Sequence, residues 1–516
     1  MNNPIGMRSL DSLTREDLTD KTIFIRVDFN VPMTAKTPGY YRVADDSRIR
    51  RFLDLTFKKI HELTDGNCRI VIGSHLGRPH IKKDHAGWDG IFNIQFVCSH
   101  FDTLMRKIYG DLYTIFPPEI IGTQFDHTLE ILMQHQLPVG GIKFLPNLRY
   151  LLDPKNPDTH RKEFIEKLAE VSDVYINCAF GCSHRLTKSI KMLPHIMREQ
   201  GKPVVAGNLL SEEITKLGAF GQRILDYPEK TAVITGGAKI ADKIGILKQF
   251  VYSKVKHIFL GGKMVNAFFL AKQLQDKIDS LGFQDIPHTL RSEDDAVNQK
   301  LIDEIKLADE ILGIAKQNQV SMDFPMDFKV VSEYKQTSYQ IKTTPDFNKE
   351  LQLDLGPETI KKFSDIILHD GIENIFWNGP MGAYDQPFCD HYAEGSIELA
   401  KLLFSVAMTN DKASVVIGGG DTAAILNKFR SEELKMSIRD QIRKQLAAPI
   451  NRDLLTIEFR KDDCYHLYNY FTSNFFVSTG GGASLMFLEG FLKERGELPL
   501  ASYLPGTAAL MELSPA

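Results

Sequence analysis

Three things are scarce in this 516-residue chain: cysteine, an excess of either charge, and long apolar runs. Its six cysteines, Cys68, Cys98, Cys178, Cys182, Cys389 and Cys464, are scattered and form no C-x-x-C pair. Cys178 and Cys182 stand four apart, but no second Cys or His pair has zinc-site spacing, so we expect neither a disulfide framework nor a structural metal. Lys and Arg number 62 against 66 Asp and Glu, a net charge of -4. That balance gives no global attraction to nucleic acid or an anionic membrane. The first ten residues lack a charged-then-apolar leader pattern, and no apolar run is long enough to span a bilayer. A soluble cytoplasmic protein with reduced thiols is expected. The G-x-x-x-x-G-K-[ST] phosphate loop is missing, as are the H-R-D and D-F-G elements of protein kinases.

What is present is a repeated alternation of short β-branched or aromatic runs with longer amphipathic stretches, the pattern of βα units on parallel sheets. In the first half the predicted strands are Thr22–Val27, Arg69–Gly73, Gly141–Leu145 and Val174–Asn177. In the second they are Thr231–Thr235, His257–Leu260, Asn374–Trp377, Ala413–Ile417 and Asn474–Val477. The length suits more than one domain. The fold class expected is α/β, with two doubly wound, Rossmann-like parallel-sheet lobes joined by a hinge helix. We place the first lobe at 1–205, the connecting helix at 206–220 and the second lobe at 221–490. Residues 430–472 read as an insertion, and 491–516 as a tail. The helix follows from the spacing of Leu209, Leu210, Ile214 and Leu217.

Ligands of open parallel sheets sit at the carboxyl ends of the strands, so the loops there carry the functional signal. In the second half these loops are glycine-rich: Gly236-Gly237-Ala238-Lys239, Gly261-Gly262, Asn378-Gly379-Pro380-Met381-Gly382, Gly418-Gly419-Gly420-Asp421-Thr422 and Gly480-Gly481-Gly482. One such loop is ordinarily just a turn. Five in one lobe point to phosphate held by backbone N–H groups and helix N-termini. Asp421 would repel a bare pyrophosphate, which favours a magnesium nucleotide over a dinucleotide. Lys239 and Lys243, four apart, would share one face of a helix starting there.

In the first half the loops instead read Asp28-Phe29-Asn30, Ser74-His75-Leu76-Gly77-Arg78, Pro146-Asn147-Leu148-Arg149 and Ala179–Arg185, with Arg48-Ile49-Arg50-Arg51 nearby. A single loop arginine is normally solvated. Recurrence at four strand ends points to one pocket for a small, multiply charged anion, because guanidinium forks match phosphate and carboxylate oxygens.

At these residues the chain resembles phosphoglycerate kinases. The matching runs are R-V-D-F-N-V-P (Arg26–Pro32), S-H-L-G-R-P (Ser74–Pro79), G-G-A-K-I-A-D-K-I (Gly236–Ile244), W-N-G-P-M-G (Trp377–Gly382), G-G-G-D-T-A (Gly418–Ala423) and S-T-G-G-G-A-S-L (Ser478–Leu485). The resemblance implies reversible phosphoryl transfer between 1,3-bisphosphoglycerate and ADP, giving 3-phosphoglycerate and ATP, as in glycolysis and gluconeogenesis. Asp28, Phe29, Asn30, Arg48, His75, Leu76, Gly77, Arg78, Arg149, His184 and Arg185 would then line the phosphoglycerate side. Lys239, Lys243, Asn378, Asp385, Gly418, Gly419, Gly420, Asp421 and Thr422 would meet the nucleotide, with Mg2+ on Asp421. Arg48, Lys239, Gly420 and Gly481 would serve the transfer itself. A monomer that closes on its two substrates, and whose tail returns to the first lobe, is also implied. No nucleic-acid or membrane partner is expected.

The chain departs from the family pattern at Cys178 (usually Asp), Pro146 (usually Glu), Lys263 (usually Gly) and Asp385 (usually Glu). With the insertion, these motivate a rival expectation, a catalytically weakened nucleotide-binding relative acting in regulation or interaction. A nicotinamide-dependent oxidoreductase is a third reading. It lacks the strand–G-x-G-x-x-G opening with a following acidic residue.

Overall fold

The computed structural model describes residues 7–37, 40–77, 90–118, 137–151, 158–238, 240–343, 346, 349–384, 390–427, 474–496 and 500–511. Two compact units make up the chain: Met1–Thr215 with Leu498–Ala516, and Lys216–Glu497.

The first unit is built on strands β1 (Thr22–Arg26), β4 (Arg69–Gly73), β5 (Thr114–Phe116), β6 (Gly141–Phe144), β7 (Val174–Asn177) and β8 (Val204–Ala206), with a β2–β3 hairpin (Met33–Thr37, Tyr40–Val43) beside them. The six strands order as β5-β6-β4-β1-β7-β8, and every pairing is parallel. Helices cover both faces of such a sheet, so its strands read as unbroken apolar runs rather than alternating ones. Ile23, Phe24, Ile25, Ile70, Val71 and Ile72 are all fully buried. From β1 the chain first builds outward to one side and later returns to β7 on the other. The crevice between β1 and β7 is therefore the topological switch point where ligands bind in this architecture. Of the expected tail 491–516, residues 498–516 belong to this unit and 491–497 to the second. The tail helix Pro505–Met511 lies on the helix Lys188–Glu199, Arg198 donates to the Ala509 carbonyl, and Gly506 N–H donates to Ser183 O at 2.9 Å.

The second unit carries β9 (Thr231–Thr235), β10 (His257–Leu260), β11 (Ser321–Asp323), β15 (Asn374–Asn378), β16 (Ser414–Gly418) and β17 (Phe475–Ser478). These order as β11-β10-β9-β15-β16-β17, again all parallel, with the switch point between β9 and β15. A small antiparallel sheet, β13-β12-β14, comes from Gln340–Lys342, Phe328–Val331 and Leu351–Leu355.

All nine predicted strands are present, some displaced by one residue at an end. The strands that went unread are the hairpin, the three-residue edge strands β5, β8 and β11, and the small antiparallel sheet. The edge strands are only three residues long and the hairpin is polar, whereas Leu351–Leu355, reading L-Q-L-D-L, does alternate and its signal was present. The helix expected from residue 206 starts at Asn208 and runs to Asp226, because Ala206 still pairs with Asn177 as the last residue of β8. Among the described residues no helix is long and apolar enough to cross a membrane.

Candidate active site

In the first unit the β1 loop brings Asp28 to the switch point, and Arg48 reaches it from the first turn of the helix Ser47–Phe52. Arg48 Nη1 donates to Asp28 Oδ2 at 2.8 Å. His75, from the β4 loop, places Nδ1 3.7 Å from Asp28 Oδ1 and 3.6 Å from Cys182 Sγ. The β6 loop is locked to the β4 loop by Asn147, whose Oδ1 accepts from Leu76 N–H at 3.1 Å and whose Nδ2 donates to Leu76 O at 2.8 Å. Asn30 Oδ1 accepts from Gly77 N–H at 2.7 Å, and Arg149 donates to the Gly77 carbonyl. Arg185 Nε donates to His184 Nε2 at 3.3 Å.

Burial would raise the Asp28 carboxyl, yet its pKa is lowered. Charges beside it outweigh desolvation, Arg48 above all. Desolvation, with Arg26, Arg149 and Arg185 nearby, pushes His75 down to about 3. Burial also pushes the Cys182 thiol up to about 11. Asp28, His75 and Cys182 hold donor atoms within 4.8 Å of one another, but the nearby charges of Arg26, Arg48 and Arg185 disfavour a cation there.

Two predicted lining residues contribute differently. Phe29 is core, its ring packed against Phe52, Phe101 and Phe144, and its N–H donates to Ser74 Oγ at 2.9 Å. Leu76 is likewise buried. Both hold loops in place rather than presenting side chains to a ligand. Within the run 48–51, Arg50 pairs with Asp46 and Arg51 with Glu212, so Arg48 is the member that reaches Asp28.

In the second unit the glycine loops interlock. Gly236 N–H donates to Asn378 O at 3.1 Å, Gly237 N–H to Pro380 O at 2.7 Å, Gly262 N–H to Met381 O at 3.0 Å, and Gly379 N–H to Thr422 Oγ1 at 2.7 Å. Asn378 Nδ2 donates to Gly418 O at 2.8 Å. These N–H groups bind neighbouring loops and are not presented to a ligand. The helices Gly420–Asn427 and Gly482–Lys493 also start at these loops; a helix's first turn leaves N–H groups without an intrahelical acceptor, and here Ala423 N–H bonds Gly419 O and Ala483 N–H bonds Gly480 O. Lys243 lies before the helix Ile244–Tyr252 rather than within it, which corrects the expected helical face. Its Nζ donates to the carbonyls of Gly236 and Asn378. Burial lowers it to about 8, against the pull of Asp421 and Asp242. Asp421 is exposed, and the Tyr384 hydroxyl donates to its Oδ1 at 3.1 Å.

A family model described as phosphoglycerate kinase matches residues 13–491. The chain belongs to the phosphoglycerate kinase family. A phosphoglycerate kinase from Dictyoglomus turgidum is 29% identical over 513 residues, which cover 98% of this chain and 100% of that protein. A cytosolic phosphoglycerate kinase from Triticum aestivum is 28% identical, over 98% of this chain and 99% of its own. The structure of phosphoglycerate kinase from Pyrococcus horikoshii aligns over 97% of this chain and 99% of its own, with a TM-score of 0.63 at 24% identity. That from Coxiella burnetii aligns over 98% and 99%, with a TM-score of 0.60 at 24% identity. At that identity the two structures establish the fold.

Of the family-derived positions, Arg78, Lys239 and Asp385 lie outside the described residues, as does the segment 428–473 that holds the expected insertion. Two of the departures from the family pattern are plain in the structure. Cys178 is buried with its thiol 3.4 Å from Thr56 Oγ1, and Lys263 is exposed in the turn after β10. Three organising residues escaped the sequence reading: Arg26, buried at the end of β1; Ser74, which anchors Phe29; and Tyr384, which meets Asp421. Ser74 and Arg26 lie inside the quoted motifs, so their signal was present. Tyr384 follows its motif by two residues.

His75 supports a pH prediction. Its pKa is depressed in the fold, so the stability of keeping it neutral is complete above about 6.5 and is lost as pH falls toward about 3. At pH 5 the loss from this group is about 2 kcal/mol. Urea unfolding of His75→Gln at pH 7 and pH 5 is expected to show a smaller drop in midpoint than the parent; an equal drop would contradict a buried neutral imidazole.

Proposed function

We propose that the chain is a working phosphoglycerate kinase, with the first unit taking the phosphoglycerate and the second the nucleotide. The observation that carries this reading is a cluster of positive charge at the strand ends of the first unit: Arg48 bonded to Asp28, and Arg26, Arg149 and Arg185 near enough to His75 to lower its pKa. A pocket with that charge suits a small molecule bearing phosphate and carboxylate groups.

The chemistry asks little of the side chains beyond charge and placement. A β-phosphate oxygen of ADP attacks the phosphorus of the acyl phosphate, the P–O bond to the carboxyl carbon breaks, and the electron pair leaves on the carboxylate. The acceptor is ionised in either direction, so no general base is required. Arg48 would neutralise charge on the transferring group, and Asp28 holds its guanidinium in place. Lys243 would meet the nucleotide phosphates from the interlocked glycine loops, and Lys239 is proposed for the same role. Gly418–Gly420, Thr422 and Gly481 would form the turns that open the two anion-facing helices. Thr422 and Asn378 act by tying the turn after β16 to the loop after β15.

Magnesium fits the donor set, since it is commonly held by one or two carboxylates plus substrate phosphates and waters, and Asp421 is exposed beside the helix N-terminus. When bound, the ion would neutralise phosphate charge. A cytoplasmic setting agrees with the free, buried thiols of Cys68, Cys98, Cys178 and Cys182.

A coupled assay with 3-phosphoglycerate and Mg-ATP tests the reading: steady turnover is expected. Folded protein that binds ADP without turnover would instead establish the weakened, nucleotide-binding relative.

A further inference from the structure

We propose that Tyr384 is a positioning residue for the divalent cation, acting through Asp421. The inference rests on the reading of Asp421 as the cation's carboxylate. The Tyr384 hydroxyl donates to Asp421 Oδ1 at 3.1 Å, which leaves Oδ2 as the oxygen available to a metal ion.

The mount on the tyrosine side is firm. Met381 N–H donates to Ser396 Oγ at 2.9 Å, Ala383 N–H to Leu353 O at 2.8 Å, and Tyr384 N–H to Gly382 O at 2.9 Å. The two loops are already joined by the Gly379–Thr422 and Asn378–Gly418 bonds. Tyr384 therefore adds a third tie, and this one lands on the carboxylate itself.

Without that tie Asp421, exposed and at the start of a helix, would rotate freely. Magnesium demands a near-octahedral shell and sheds water reluctantly, so a lone protein carboxylate serves it best when held in one orientation. Removing the phenol hydroxyl lets water donate to Oδ1 in its place. The basicity of the carboxylate is then largely kept, and its orientation is lost. The effect should fall on metal-dependent binding and spare the rest of the nucleotide site.

The test is Tyr384→Phe, which removes one oxygen and keeps the ring. ADP binding is measured by calorimetry with saturating Mg2+ and again with EDTA, and Mn2+ binding to the protein–ADP complex is followed by electron paramagnetic resonance. The expected result is about tenfold weaker metal binding, with metal-free ADP affinity within about twofold of the parent. Unchanged metal binding overturns the proposal. So does an equal loss with and without metal, which would mark a purely structural tie. Asp421→Asn separates the two levels of the argument. If it abolishes metal dependence while Tyr384→Phe retains it, only the positioning role fails. If it leaves metal dependence intact, the assignment of Asp421 fails and the proposal goes with it.

Discussion

Arg48→Ala is expected to lower turnover by about 10²–10³-fold while leaving ADP affinity within about twofold. Arg48 belongs to the first unit and is held on Asp28 at 2.8 Å, so its removal takes a preorganised positive charge from that unit's pocket. A charge already in place when the reaction begins stabilises the transition state without reorganisation, which is why one such donor carries so large a factor. Arg48→Lys would restore charge without the planar fork and should recover only part of the loss. Steady-state kinetics alongside ADP calorimetry check the result. An equal loss in turnover and in ADP binding would show that Arg48 supports the fold and not the transfer.

Gly379→Ala should be strongly damaging on the nucleotide side. Gly379 has φ +95°, and an added Cβ would lie 2.3 Å from Gly236 O and 2.4 Å from Lys243 Nζ. The lysine can withdraw, but the carbonyl cannot, because Gly237 N–H is bonded to Pro380 O at 2.7 Å. The loops after β9 and β15 would have to part, and Lys243 would lose its seat. We expect a stability loss of about 2–4 kcal/mol and at least a roughly tenfold drop in ADP affinity, with 3-phosphoglycerate binding unchanged. Gly371→Ala is the control. Its φ is +70°, yet a Cβ there meets nothing within 4 Å, so only backbone strain of about 1–2 kcal/mol should appear. Thermal unfolding and calorimetry of the two variants decide the matter; matching losses would refute the interlocking role.

Much of the architecture was legible because buried parallel strands are local signals. Runs such as Ile70–Ile72 and Val415–Ile417 are short, apolar and β-branched, and each ends in a chemically distinctive loop. Tertiary contacts disagreed with the local reading at particular residues. Phe29 sits inside a motif of polar neighbours, yet its ring belongs to a cluster assembled from Phe52, Phe101 and Phe144, none of them nearby in sequence. Lys243 was read as helical from its four-residue spacing, but the chain turns at 241–243 before the helix begins at Ile244. The glycine loops were read as phosphate cradles, whereas four of their N–H groups bind one another's loops.

By itself the sequence determined the alternation of strand and helix, the residue types at each strand end, and the split between Arg/His loops in one half and glycine loops in the other. Those properties live within a few residues of each other, where propensity and spacing act. Only the tertiary structure decided that β1 lies beside β7 and β9 beside β15, and so which loops meet. It also decided that Arg48 is the arginine of its run to face Asp28, that the tail's Gly506 supports the loop at Ser183, and that Tyr384 touches Asp421. Strand order is set by packing and hydrogen bonding between segments far apart in the chain, and no local pattern carries that information.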